Sequence, residues 1–300
     1  MTKSERFTVV GLGEILWDLL PAGKQVGGAP ANFAYHAHVL GADACLVSRV
    51  GSDAFGSEIR NKCSSLALDC RCLQADKRHP TGTVDVAVDA QGNPQYIIHE
   101  NVAWDFITAG PDVLELAARA NAVCFGSLCQ RSPVSRNAIQ SFLKATRPEC
   151  LRVFDVNFRQ SYYNLDTIEE SLKVATVLKL NDQELPVLAK LLSITGSGAT
   201  AVSKLLDRYS LQMVALTRGQ EGSALHMHDC ISSHAGCQVN VADTVGAGDA
   251  FTAALVMGML RSFDLDKIND YANRLGSYVC TRPGATPEVP SSVLAPLFEE

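Results

Sequence analysis

Short apolar runs alternate with helix-length segments along most of this chain. Residues 7–11, Phe-Thr-Val-Val-Gly, read as a buried strand whose segment closes near Asp18 and Pro21. Residues 29–40 predict a helix stopped by Gly41, residues 44–50 a second strand and residues 54–68 a second helix. The pattern then changes. Residues 83–89 alternate apolar and polar, Gln91-Gly92-Asn93-Pro94 predicts a turn, and residues 95–99 return. That is a half-buried hairpin, unlike the continuous apolar strands elsewhere. After Gly110-Pro111, strands are predicted at 122–125, 151–156, 176–180 and 213–217. Helical segments at 134–144, 167–174, 183–192 and 199–209 lie between or beside them, and the apolar run 250–260 predicts a buried helix. Repeated βα units predict a mostly parallel sheet with helices on both faces. No repeat or long linker interrupts the pattern. Residues 1–300 therefore read as one α/β domain with a small β-sheet lid over about residues 81–100.

Composition narrows what such a domain can bind. A net charge of −6 leaves no broad basic surface, which argues against nucleic acid. The longest apolar run is too short for a bilayer, and residues 1–6 lead directly into the first strand, so neither a membrane span nor a leader is expected. Ten cysteines scatter without any Cys-x-x-Cys, with Cys70-x-Cys72 the closest pair. They read as buried reduced thiols of a cytoplasmic protein. His226-x-His228 has no third ligand nearby in sequence and reads as surface histidine.

In parallel sheets, ligands bind beyond the carboxyl ends of the strands, and polar motifs cluster there in this chain. Gly11-Leu12-Gly13 starts like a dinucleotide fingerprint, but Leu16 stands where the third glycine belongs. Glu14 and Asp18 follow instead. A carboxylate at Asp18, among apolar neighbours, can accept two adjacent sugar hydroxyls; it can also simply cap a turn. Gly27-Gly28-Ala29-Pro30-Ala31-Asn32 opens a helix, and Asn32 can offer both donor and acceptor to a hydroxyl pair. Arg159, at the end of Asp155-Val156-Asn157-Phe158-Arg159, is a candidate phosphate or substrate contact. Asn181 and Glu184 can form a helix cap, or organise hydrated magnesium and phosphates. Thr217-Arg218-Gly219-Gln220-Glu221-Gly222 suits a loop around phosphates or a hairpin turn.

The richest stretch is Asp243-Thr244-Val245-Gly246-Ala247-Gly248-Asp249 before the helix at 250–260. Backbone N–H groups at Gly246 to Gly248 have no helical acceptor and can hold a developing anion. Asp249 places a carboxylate beside them. An anion hole and a base together suggest phosphoryl transfer to a hydroxyl. A glycine turn with an Asp favouring the helix dipole fits the same residues.

Taken together, these stretches resemble the ribokinase-like (PfkB) sugar kinases over nearly the whole chain. Both glycine signatures stand in order, with Asn181-x-x-Glu184 and Thr217-x-x-x-x-Gly222 between them and Ala272-Asn273 and Arg282-Pro283-Gly284-Ala285 after them. The resemblance implies a central sheet with a β lid over the sugar. It assigns Asp249 as catalytic base and Gly246, Ala247 and Gly248 as anion hole. Asp18, Gly28 and Asn32 fall on sugar positions, and Asn181, Thr217, Gly219, Gly222 and Asn273 on nucleotide positions. Glu184 matches the residue that orders Mg2+ through water. Asp243, with the backbones of Val245, Val279, Arg282 and Gly284, matches a K+ loop. Gly13-Glu14-Ile15-Leu16-Trp17-Asp18 and Asp155 to Gln160 look most like bacterial fructokinases. The implied reaction is ATP-dependent phosphorylation of fructose at O6, with 2-keto-3-deoxygluconate kinase or another sugar kinase of the family as alternatives. A non-catalytic sugar sensor of the same fold is the reading from another class, and the intact Asp249 and glycines argue against it. The apolar lid face at Val84, Val86 and Val88 must be covered, either by the main domain or by a second chain in a homodimer.

Overall fold

The computed structural model describes residues 6–21, 23–88 and 94–294. The chain runs through β1 (Thr8–Leu12), β2 (Leu16–Leu20), β3 (Gly23–Gly27), α1 (Ala29–Val39), β4 (Asp43–Gly51), α2 (Ala54–Ser65) and β5 (Leu73–Asp76). It continues through β6 (Thr83–Val88), β7 (Pro94–Ile98), α3 (Pro111–Arg119), β8 (Ala122–Gly126), α4 (Pro133–Ala145), β9 (Leu151–Asp155), α5 (Leu165–Val174) and β10 (Val177–Asn181). The remainder holds α6 (Glu184–Leu191), α7 (Ala199–Tyr209), β11 (Met213–Thr217), β12 (Ser223–His226), β13 (Ile231–His234), α8 (Ala247–Leu260) and α9 (Leu265–Cys280).

Nine strands form the main sheet in the order β13-β12-β11-β10-β9-β8-β1-β4-β5. Neighbours from β11 to β5 are parallel, and β12 and β13 extend one edge antiparallel. Successive strand residues face opposite layers. In β10, Val177 belongs to the apolar layer that includes α1, α2, α8 and α9, whereas Leu178 and Leu180 belong to the layer that includes α3 to α7. Both faces are covered, which is why these strands read as unbroken apolar runs. The antiparallel edge and helices α3 and α9 carry no element in the sequence reading. In α9, Asn269 and Asn273 interrupt the apolar face and are nevertheless buried.

The smaller sheet has the order β3-β2-β6-β7. Half of it comes from residues 16–27, not from the expected 81–100 segment alone. β1 and β2 form one apolar stretch in sequence, but Gly13, at φ 149°, breaks it and sends the chain from one sheet to the other. Asp18 consequently lies inside a strand of the smaller sheet rather than in a turn after β1. Trp17 ties that sheet to α2 by donating its indole N–H to the Phe55 carbonyl at 3.1 Å. Val84 is buried in the main core together with Ile98 and Val102, so its own chain covers it. The side chains of Val86 and Val88, and turn residues 91–93, lie outside the described residues.

Two smaller expectations change. His226 is buried on β12, and burial, with nearby Arg218, holds its pKa below the ordinary histidine value. No group of three metal-ligating side chains occurs among the described residues. All ten cysteines are free; five are buried, but Cys230 is exposed and Cys70, Cys72, Cys237 and Cys280 are half-buried. No described helix is long and apolar enough to cross a membrane.

The junction between the sheets rests on Trp104, 1% exposed, with the Arg131 guanidinium 4.0 Å above its ring. Arg131 also grips Asp105 at 2.9 Å through two nitrogens. Gly82 passes so close to the Trp104 indole that a Cβ would collide with it. Gly82→Ala should therefore cost about 1–3 kcal/mol through overpacking. Urea unfolding of the variant checks this; an unchanged midpoint would mean that the indole moves aside freely.

Candidate active site

The parallel strands all end on one edge of the main sheet, and the residues after them converge there. Gly246, in the left-handed region at φ 78°, turns the chain into α8. A Cβ at Gly246 would lie 2.7 Å from the Ala285 backbone, so the turn is held tightly against the 282–287 loop. The amides of Gly248 and Asp249 fall in the first helical turn, where no intrahelical acceptor exists. Asp249 Oδ2 accepts a hydrogen bond from Asn32 Nδ2 at 2.8 Å. Burial pushes the Asp249 carboxyl up to about 6; Asp155 adds to the rise, while the Asn32 hydrogen bond, Lys179 and Arg159 oppose it.

Asn32 is 4% exposed, and its Oδ1 has no partner. Asp249 takes one of the two amide hydrogens, which leaves the other hydrogen and the Oδ1 acceptor for a hydroxyl pair, as expected. Gly28 caps α1 at φ 112° and packs on the Glu14 backbone. Asp18 reaches across to Gly27, and burial pushes its carboxyl up to about 6 against the pull of Arg159. Glu14, in the three-residue link between the sheets, is 3% exposed and leaves Oε2 without a partner. Burial pushes it up to about 7, with backbone amides and Arg159 acting in the other direction. Arg159 itself is exposed. It lies within electrostatic reach of Glu14, Asp18 and Asp249 together.

Asn181 and Thr217 are register partners at the ends of β10 and β11. Asn181 Oδ1 accepts from the amides of Gln183 and Glu184 at 2.9 and 2.8 Å. Glu184 answers by accepting from the Asn181 amide at 2.8 Å and the Phe158 amide at 3.0 Å. The reciprocal bonds are those of a capping box. Gly219 opens a 3₁₀ turn after β11, and Gly222 closes it against His234 and Gly236. Asn273 donates inward to Ser223 Oγ at 2.7 Å and the Asn269 carbonyl at 2.8 Å. Its amide group thus ties α9 to β12.

The proposed cation loop also comes together. Asp243 accepts from the amides of Val245 and Gly284, both at 3.0 Å. The Val279 carbonyl, at the end of α9, accepts from the Arg282 amide at 3.0 Å. The Arg282 side chain turns away over Tyr278. Helix α1 is clamped to this loop: His36 Nε2 meets the Ala285 carbonyl at 2.9 Å, and Tyr35 donates to the Pro287 carbonyl. Burial lowers the His36 pKa to about 4.

Sequence reasoning named no role for Lys179. It is a single lysine inside an apolar strand, and that oddity is its signal. Lys179 Nζ donates to Asp155 Oδ1 at 3.1 Å, and both residues are buried. Burial works to neutralise the ammonium, but Asp155, Glu184 and Asp249 outweigh it and hold its pKa above the ordinary lysine value.

Known proteins share this fold. PH1459, an uncharacterized sugar kinase of Pyrococcus horikoshii, is 29% identical, covering 92% of this chain and 91% of its own. Its structure matches with a TM-score of 0.82, and PH1459 has also been solved with ATP. Escherichia coli fructokinase is 28% identical, covering 93% of this chain and 95% of its own. A Vibrio cholerae fructokinase double mutant, solved with fructose, ADP and potassium, shares the fold at TM-score 0.82 and 22% identity, over 99% and 100% of the two chains. The family model for pfkB family carbohydrate kinases matches residues 22–292, and the chain belongs to that family.

Proposed function

We propose that this carbohydrate kinase transfers the γ-phosphoryl group of ATP to the primary hydroxyl of a furanose sugar, fructose at O6. The observation that carries the reading is Asp249, fixed by Asn32 beside the open amides of α8. Asp249 takes the hydroxyl proton as the new O–P bond forms and the bond to the leaving ADP oxygen breaks. The amides of Gly248 and Asp249 receive charge on the phosphoryl oxygens. Asp18, Gly28 and the free acceptor of Asn32 hold the sugar, with Arg159 at the rim. Asn181, Thr217, Gly219, Gly222 and Asn273 form the nucleotide side. Similarity to PH1459 and to the E. coli enzyme supports ATP and fructose respectively.

The donor set fits the expected ions. Glu184 is a buried carboxylate whose oxygens already accept amides, so it suits Mg2+ held through water, not by a protein cage. Glu184 would hold Mg2+ through water, and the ion would supply positive charge against the phosphates. Asp243, with the carbonyl end of α9, suits K+. The smaller sheet acts as the lid that excludes water from ATP. Its strand β7 leaves Tyr96 and Ile97 exposed, at 53% and 56%, which supports a homodimer meeting through the lids. Light scattering at micromolar concentration tests this; a strict monomer removes the dimer.

A coupled ADP-release assay over a sugar panel tests the substrate. Fructose should give the highest kcat/KM. A tenfold preference for ribose or 2-keto-3-deoxygluconate, about 1.4 kcal/mol, would overturn the assignment. Asp18→Ala should lower kcat/KM for the sugar by about 100-fold, since a hydrogen bond to charge is lost. An unaffected variant would leave Asp18 as a structural residue.

Asp249→Asn should lower kcat by about 100- to 10,000-fold while the protein stays folded. Near-normal turnover in that variant would refute the base assignment. The base must be ionised to accept a proton. With its pKa raised to about 6, wild-type turnover should fall as pH drops through 6. A profile flat down to pH 5 would contradict it.

A further inference from the structure

The Asp155–Lys179 pair is costly to bury, and nothing in the packing requires it. An apolar pair of similar volume would hold sheet and helix together as well or better. Its position gives it another use. Asp155 faces Lys179 through Oδ1 and Thr252 Oγ1, at 3.4 Å, through Oδ2. The one hydroxyl hydrogen of Thr252 is shared between Asp155 and the Gly248 carbonyl, which is nearer at 2.8 Å. The pair is thereby fastened to the first turn of α8. A Cβ built on Gly248 would lie 3.2 Å from Lys179 Nζ. The ammonium therefore sits directly against the turn that offers free amides and presents Asp249. An ammonium carries three donors. Asp155 takes one, which leaves two for a ligand at that turn.

We propose that Lys179 is a catalytic residue whose ammonium, anchored by Asp155 against Gly248, donates to the phosphoryl group in transit between ATP and the acceptor hydroxyl. The inference rests on the ATP-kinase reading but not on the choice of sugar. The transferring group carries its charge on three equatorial oxygens, and a fixed cation in a water-poor site stabilises that charge. A lysine acts as a point charge and tolerates the small travel of the phosphorus. No proton leaves Lys179, so Asp249 remains the only base. Glu184 from α6 and Asp249 from α8 face the same ammonium, which keeps it charged.

The test uses Lys179→Met combined with Asp155→Asn, which removes both charges and leaves no unpaired buried ion. Lys179→Gln alone keeps an N–H donor for Asp155 without the charge and guards against misfolding of the pair. Three quantities are measured with Mg2+: kcat, the affinity for a non-hydrolysable ATP analogue and the affinity for ADP. Thermal unfolding confirms the fold. The folded variants should lose about 100-fold or more in kcat, the scale of one transition-state donor. They should bind the ATP analogue about tenfold more weakly and keep ADP affinity within about threefold. Wild-type kcat, or equal losses for the analogue and ADP, would make the pair a packing element and overturn the proposal. If the wild-type protein phosphorylated none of the sugars, the substrate reading would fail, and the analogue-to-ADP comparison would still decide Lys179.

Discussion

A helix cannot satisfy the amides of its own first turn, and this site is organised around holding one such turn still. The first turn of α8 is fixed from three directions. Ala285 presses on Gly246 from the C-terminal loop. Asn32 reaches Asp249 from α1. Thr252 ties the turn to Asp155 beneath it. Helix α1 is in turn held to the same C-terminal loop by His36 and Tyr35. Three separate parts of the chain agree on where the turn lies. Such preorganisation lets dipoles stabilise charge without moving during the reaction.

Much of the main sheet was legible because burial on both faces leaves an unmistakable trace, a short unbroken apolar run followed by a helix. The second half of the smaller sheet was not. Leu16 to Leu20 continues the apolar stretch of β1, and only the backbone of Gly13 shows that the chain has changed sheets. Helix α9 was hidden for a different reason. Asn269 and Asn273 look out of place on a buried face until Ser223 and Ser232 supply their hydrogen bonds.

The site shows the same division. The glycine turns and Asp249 announced themselves by spacing. Lys179 did not, since one charge in a strand has no local partner in sequence; Asp155 lies 24 residues away and reaches it through the β9–β10 pairing. Asn181 and Glu184 supported two readings, and the hydrogen bonds of the helix cap are present in full. Those bonds also set the direction of the Glu184 carboxylate, so capping the helix and facing a hydrated ion are compatible roles for one side chain.

Glu14, Asp18 and Asp249 have pKa values pushed up to about 7, 6 and 6, and one exposed guanidinium, Arg159, faces all three. Near neutral pH the cleft therefore carries a fractional proton inventory. A ligand that displaces water or draws Arg159 closer changes that inventory and exchanges protons with the medium. The heat measured on sugar binding then includes the ionisation enthalpy of whatever buffer supplies or takes them. Calorimetric enthalpies for this protein become comparable only after extrapolation across buffers.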